Sequence, residues 1–119
     1  MSDHPFLYLT TTGWKTGRAH TIEIWFVSHA GRYYVVSEKL YRSHWVQNIQ
    51  RHPAVSFRVA DQTFQGIGRV VDRGAEPELA AVVAALMDAK YDWSDGLIVE
   101  LIPAPTAGGA SPSRPGGDG

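Results

Sequence analysis

Two short stretches concentrate the side chains that could hold an anion. The first, Thr10 to His20, reads TTTGWKTGRAH and sets Lys15, Thr16 and Arg18 around Gly17, with Gly13 and Trp14 just before them. Two cations, a hydroxyl and the amides that Gly13 and Gly17 leave free can hold phosphate or carboxylate oxygens by charge-assisted bonds. A solvated hairpin tip uses the same residue types, so spacing alone leaves the two readings level. Trp14 favours the site, because an indole at an exposed tip is unfavourable unless it covers something. The second stretch, Ser37 to Trp45, reads SEKLYRSHW and adds Lys39 and Arg42 just before a predicted helix. The positive end of that helix would reinforce them. Alone, this loop is better explained by side chains that cover backbone and pair with Glu38, and Trp45 by core packing. If the fold brings the two stretches together, Lys15, Arg18, Lys39 and Arg42 converge in a chain whose formal net charge is only −1.

Other chemistries lack their residues. TGWKTG is not a phosphate-binding P-loop, which needs G-x-x-x-x-G-K-[ST] between a strand and a helix. The chain has no cysteine, so disulfides, thiolate metal sites and cysteine nucleophiles are excluded; this fits a reducing cytoplasm, the expected location. His20, His44 and His52 show no metal-ligand spacing with a carboxylate. Ser28, Ser37 and Ser43 lack a nucleophile-elbow context. Glu23 and His20 could move protons, although Glu23 could equally satisfy Arg18 or Arg32. Any reaction would therefore be carried by a cofactor. The near-zero net charge gives no global attraction to nucleic acid or to an anionic membrane, and no run approaches the ~20 apolar residues of a spanning helix.

The elements that must position these residues follow from periodicity. Phe6 to Thr12 predicts a strand. His20 to His29 predicts a longer one, with Ile22, Ile24 and Phe26 on one face and Glu23, Trp25 and Val27 on the other. Ala30-Gly31 turns the chain into a third strand, Arg32 to Ser37. Ser43 is placed to cap a helix running to about Arg51, which Pro53 stops. Ala54 to Val59 and Thr63 to Val71 predict two more strands, with Gly66 and Gly68 on one face where the chain bends or another backbone comes close. Pro77 opens a helix to near Lys90 whose stripe is Leu79, Val82, Val83, Leu86 and Met87. Tyr91 to Gly96 is a polar-aromatic loop that walls a pocket or plugs a barrel end, and Leu97 to Ile102 is a last strand. From Pro103 on, nine of seventeen residues are proline or glycine, which predicts a disordered tail after a single domain of residues 1–102. The order βββ-α-ββ-α-β predicts a mainly β protein, a six-stranded, mostly antiparallel barrel with two short helices outside it or across its ends.

The loop TTTGWKTGR, the strand EIWFV, the segment GRYYVVSE, the pattern Trp45-x-x-Asn48 through Pro53, and the later KYDW together resemble the deazaflavin-dependent nitroreductases, also called the F420H2-dependent quinone reductases. The resemblance covers about residues 6 to 102, and the order of the motifs is more specific than any one of them. It implies a split β-barrel, coenzyme F420 as cofactor, and hydride transfer from its reduced form to a small electrophilic acceptor, a quinone, an enone or a nitro compound. By position, it implies that Lys15, Thr16, Gly17 and Arg18 grip the anionic end of the cofactor, with Trp14 near its ring. Ser37, Glu38 and Lys39 would follow the ring edge, Trp45 and Asn48 would position that loop and helix, and Trp25 would lie near the ring. Glu23 departs from the family pattern by standing where a proline is common. The glycines usual after Ser37 are missing, and the N-terminal helical segment of nitro-reducing members is not seen before the first strand. Two alternatives remain beside this one: a split-barrel protein that uses FMN, and a non-catalytic binding protein. A homodimer is a possible assembly.

Overall fold

The computed structural model describes residues 6–104. Within them run strands β1 (Phe6–Thr12), β2 (Ala19–His29) and β3 (Arg32–Ser37), helix α1 (His44–Arg51), strands β4 (Ala54–Val59) and β5 (Gln62–Val71), helix α2 (Pro77–Tyr91) and strand β6 (Leu97–Pro103). The element order is the predicted one. One piece was not foreseen, a 3-10 turn at Leu40–Arg42 before α1. Most of the stretch expected to be a disordered tail, from residue 105 on, lies outside the described residues, and its first residue, Pro103, closes β6. Among the described residues no helix is long and apolar enough to cross a membrane.

The strands close into a barrel in the order β1-β2-β3-β6-β5-β4, with every neighbouring pair antiparallel. The closure is uneven along β2. Its first part, Ala19 to Trp25, pairs with β1, and its last part, Phe26 to His29, pairs with β3. Among the described residues the strand therefore changes partners at Phe26, and β3 runs on toward Val36 and Ser37 paired with β6 and no longer with β2. The Tyr91 hydroxyl accepts from the Phe26 N–H at 3.0 Å and lies 2.8 Å from the Phe26 carbonyl, which Lys90 Nζ also reaches at 3.0 Å. Backbone groups alternate sides along a strand. Those of Glu23 and Trp25 thus point toward the side from which β3 has departed.

Apolar residues segregate into two layers. Leu7, Leu9, Phe26, Val35, Phe57, Val99 and Leu101 fill the barrel, and Val46 and Ile49 of α1 complete that core by closing one end. Tyr34, Val36, Val71 and Ile98 point outward, where Ala80, Val83 and Met87 of α2 cover them. So one helix lies across an end and the other outside. The α2 stripe is rotated from the predicted one: Ala80 is buried and Val82 is 38% exposed, because the small Ala80 lets the helix approach the sheet. Both strand glycines mark close approaches. A side chain at Gly66 would strike the Ile102 carbonyl, and one at Gly68 would press on Ile49.

Between sheet and α2 sits one buried carboxylate, Glu100, 1% exposed. Its Oε2 accepts from the Tyr34 hydroxyl at 2.7 Å and from Arg32 at 3.3 Å, and its Oε1 accepts from Arg69 at 2.7 Å. Arg69 also forms a two-pronged pair with Glu76, at 2.7 and 2.8 Å, tying β5 to the start of α2. Burial works to raise the Glu100 carboxyl, but these donors outweigh it and hold it below the usual carboxylate range. Burial pushes the Tyr34 hydroxyl from 10.0 up to about 12, aided by its bond to Glu100 and by that carboxylate's charge. Ionising Tyr34 would set a phenolate against a carboxylate. Its raised value means that Tyr34 contributes stability fully below its unfolded value of 10.0 and loses it as the pH rises toward about 12. Tyr34→Phe should cost about 1–2 kcal/mol at neutral pH, and thermal unfolding followed against pH should show its gap to the wild type narrowing above about pH 10.

Candidate functional site

The hairpin between β1 and β2 is locked by its own backbone. The Gly13 N–H donates to the Arg18 carbonyl and the Gly17 N–H to the Gly13 carbonyl, both at 2.7 Å. Gly17 takes a φ of 73°, a left-handed turn that glycine accepts without strain. This corrects the expectation that the two glycine amides are free for an anion: the tight turn uses both. The Thr16 hydroxyl accepts from the Arg18 N–H at 3.2 Å, which leaves its own proton to donate. The hairpin is then clamped to α1. Asn48, 5% exposed, accepts the Trp14 N–H at 3.2 Å and donates to the Thr11 hydroxyl at 3.0 Å. The Trp14 indole lies under the Arg51 guanidinium, 4.6 Å from its centroid, and under Lys15 Nζ at 5.0 Å. Trp14 thus covers a cation and part of a helix, which explains an indole on an otherwise polar tip.

The loop from β3 to α1 is closed by two serines. Ser37, 1% exposed, donates to the Leu40 carbonyl at 2.9 Å. Its Oγ lies 2.7 Å from Ser43 Oγ, and with the Ser37 proton already committed, Ser43 must be the donor. Ser37 therefore holds the loop and has no proton left for a ligand. Ser43 stands at the α1 cap position but makes no capping bond, contrary to its expected role; its side chain bonds Ser37 instead. The first-turn amides of α1 are left to other partners. Within the loop Leu40 has a φ of 58°, a conformation that costs a branched residue about 1–2 kcal/mol. Glu23 is likewise placed otherwise than expected. It pairs with neither Arg18 nor Arg32 but accepts the Tyr8 hydroxyl at 3.1 Å on the outer face of the barrel.

Hairpin, loop and the unpaired edge of β2 enclose one cleft of about 1170 Å³ where β2 and β3 part. It gathers Trp14, Lys15, Thr16, Trp25, Ser37, Glu38, Lys39, Trp45 and Asn48 from the sequence-derived set. Gly17 and Arg18 sit at the exposed hairpin tip and do not line it. Sequence reasoning assigned no site role to Ile22, Ile24 or Phe6, which do line it, as does Arg42. Arg42 had been flagged as a cation, but nothing in a linear pattern marks which apolar strand residues face a split. Trp93 lines the cleft as well, the first of the two roles left open for its loop, while Tyr91 stacks on Trp25 at 4.5 Å. All four tryptophans of the chain, Trp14, Trp25, Trp45 and Trp93, therefore border one cavity. Lys15, Lys39 and Arg42 lie on the hairpin and loop side; Phe6, Trp25 and Trp93 lie at the other end of β2. From Ala19 to Trp25 is about 20 Å along an extended strand.

A split barrel with a cationic, tryptophan-lined cleft belongs to the class of proteins that hold a flat-ringed, anionic cofactor. Residues 1–96 match the profile of the F420H(2)-dependent quinone reductases, and the chain belongs to that family. No curated protein matches the chain. Among solved structures, a conserved hypothetical protein from Mycobacterium tuberculosis is similar at 20% identity and a TM-score of 0.70, over 86% of this chain and 74% of that one. An F420-H2 dependent reductase (FDR-A) is similar at 24% identity and a TM-score of 0.59, over 85% and 96%. The heme storage protein HutZ from Vibrio cholerae is similar at 22% identity and a TM-score of 0.69, over 87% and 84%. Such identities establish the shared fold. Coenzyme F420 is the cofactor of the family. The residues present fit it: three cations for its anionic end, apolar and indole walls for its ring, and an unpaired strand edge for polar groups at the ring rim.

Asn48 is the residue on which the hairpin's position depends. Asn48→Ala should lose about 1–3 kcal/mol in urea unfolding, because the Trp14 amide and the Thr11 hydroxyl lose their partner. Asn48→Asp keeps the acceptor for Trp14 and should lose less.

Proposed function

We propose that the cleft binds coenzyme F420 and that the protein is a reductase acting on a small electrophilic acceptor, a quinone, an enone or a nitro compound. The observation that carries this reading is the convergence of every tryptophan with Lys15, Lys39 and Arg42 on one cleft in a chain of net charge −1. When bound in reduced form, the deazaflavin supplies a hydride to the acceptor. The chain's own residues bind and orient. Lys15, Lys39 and Arg42 neutralise the phosphate and carboxylates of the cofactor, and the Thr16 hydroxyl donates to the same groups. Ser37 fixes the loop that bears Lys39, and Asn48 fixes the hairpin that bears Lys15. Ile22, Ile24 and Trp45 give the ring a dry wall, which strengthens each polar contact beside it. The backbone groups of Glu23 and Trp25 face the ring edge. No side chain is assigned an acid–base role, since hydride chemistry resides in the cofactor.

Titration with F420 followed by tryptophan fluorescence tests the reading. Quenching should saturate in the micromolar range, at or below about tens of micromolar. Lys15→Ala and Lys39→Ala should each weaken binding about three- to fivefold at low salt, as expected for partly exposed charges. Arg18→Ala, at the tip, should weaken it less. Absence of quenching by F420, or binding of FMN in its place, would overturn the assignment.

A further inference from the structure

The end of the cleft away from the cations is shaped for a second ring. Trp25 is 43% exposed on the outer face of β2. Tyr91 occupies one of its faces, with planes 3° from parallel, so the exposure falls on the remainder of the ring. Trp93 meets it edge-on, with centroids 6.3 Å apart and planes at 72°. Trp25 is thus a floor and Trp93 a wall, and Phe6, the cross-strand partner of Trp25, borders the other side. Offset stacking on one ring with edge contact to another is the arrangement aromatic groups favour.

Among the lining residues at this end, one carries a charge. Glu23 lies on the same face of β2 as Trp25, two residues earlier, about 7 Å away by the strand repeat. Its carboxylate is held in place. The Tyr8 hydroxyl donates to it, and the Tyr8 ring is itself fixed under the Arg58 guanidinium, 4.8 Å from its centroid. Glu23 is the residue that the sequence marks as anomalous among large apolar neighbours, and the grip on an anionic cofactor does not use it.

We propose that the Trp25–Trp93 corner is the acceptor subsite and that Glu23 is its specificity determinant, rejecting anionic acceptors in favour of uncharged planar ones. This assignment rests on the F420 reading above and deepens it. A fixed carboxylate beside the stacked ring repels a sulfonate or carboxylate on that ring while leaving a neutral ring untouched.

The test compares 2-methyl-1,4-naphthoquinone with 1,4-naphthoquinone-2-sulfonate, two probes of similar shape that differ in charge. Their binding to the full chain is measured by calorimetry without cofactor, and kcat/KM is measured with reduced F420. Wild type should prefer the neutral quinone about three- to fivefold beyond their intrinsic difference at low salt, a preference that shrinks at 0.5 M salt. That intrinsic difference is set by Glu23→Gln, which removes the charge. Glu23→Lys should invert the preference, and neither substitution should change affinity for the neutral probe by more than about twofold. Trp93→Ala should weaken both quinones alike, and by more than it weakens F420. Identical discrimination in wild type, Glu23→Gln and Glu23→Lys, or quinone binding indifferent to Trp93→Ala, would overturn the subsite while F420 binding stood. Failure of F420 to bind the wild type would instead overturn the cofactor reading and this assignment with it.

Discussion

The change of partner in β2 at Phe26 is the constraint on which the rest of this molecule depends. A strand can satisfy its backbone on both sides only where both neighbours keep pace with it. Here β1 accompanies Ala19 to Trp25 and β3 accompanies Phe26 to His29. A barrel built this way closes around its core and still leaves one seam open. The open seam would be an aggregation-prone edge in an isolated sheet. In this protein the hairpin, the Ser37–Ser43 loop, α1 and the aromatic segment after α2 wall it instead, and it becomes a cleft. The Tyr91 hydroxyl, bonded to both backbone groups of Phe26, occupies the point where the β1 ladder ends.

The two apolar layers divide labour around that seam. The barrel interior, closed by Val46 and Ile49, sets the position of α1 and hence of Asn48 and the hairpin. The outer layer, with Glu100 and its arginines, sets the position of α2 and hence of Tyr91 and Trp93. Each end of the cleft is therefore mounted on a different core. The anionic network is also the more directional of the two, since a two-pronged Arg69–Glu76 pair fixes angle as well as distance.

Much of this was legible in the sequence. Period-2 alternation in Ile22, Ile24 and Phe26 and the breakers at Gly31, Pro53 and Pro77 gave element order, because those signals are local. The cationic loops were legible as residue types. What was not legible depends on contacts far apart in the chain. The glycine amides at positions 13 and 17 looked available because the chain gives no sign of the turn that consumes them. Ser43 looked like a cap because nothing in its own neighbourhood shows that its side chain turns to Ser37. Val82 looked buried because an apolar count does not register that Ala80 sets how close the helix comes. Glu23 could be seen to be out of place, but its partner Tyr8 is fifteen residues away and is reached only through strand pairing.

The serine-closed loop has a consequence for affinity. Its seven residues, Ser37 to Ser43, are tied at both ends by hydroxyls and hold Leu40 in a left-handed turn without a ligand present. A flexible loop of that length would lose conformational entropy on binding, at about 1–2 kcal/mol per residue ordered. Here that loss is taken during folding, so the cleft meets its ligand preorganised and more of the contact energy remains as affinity.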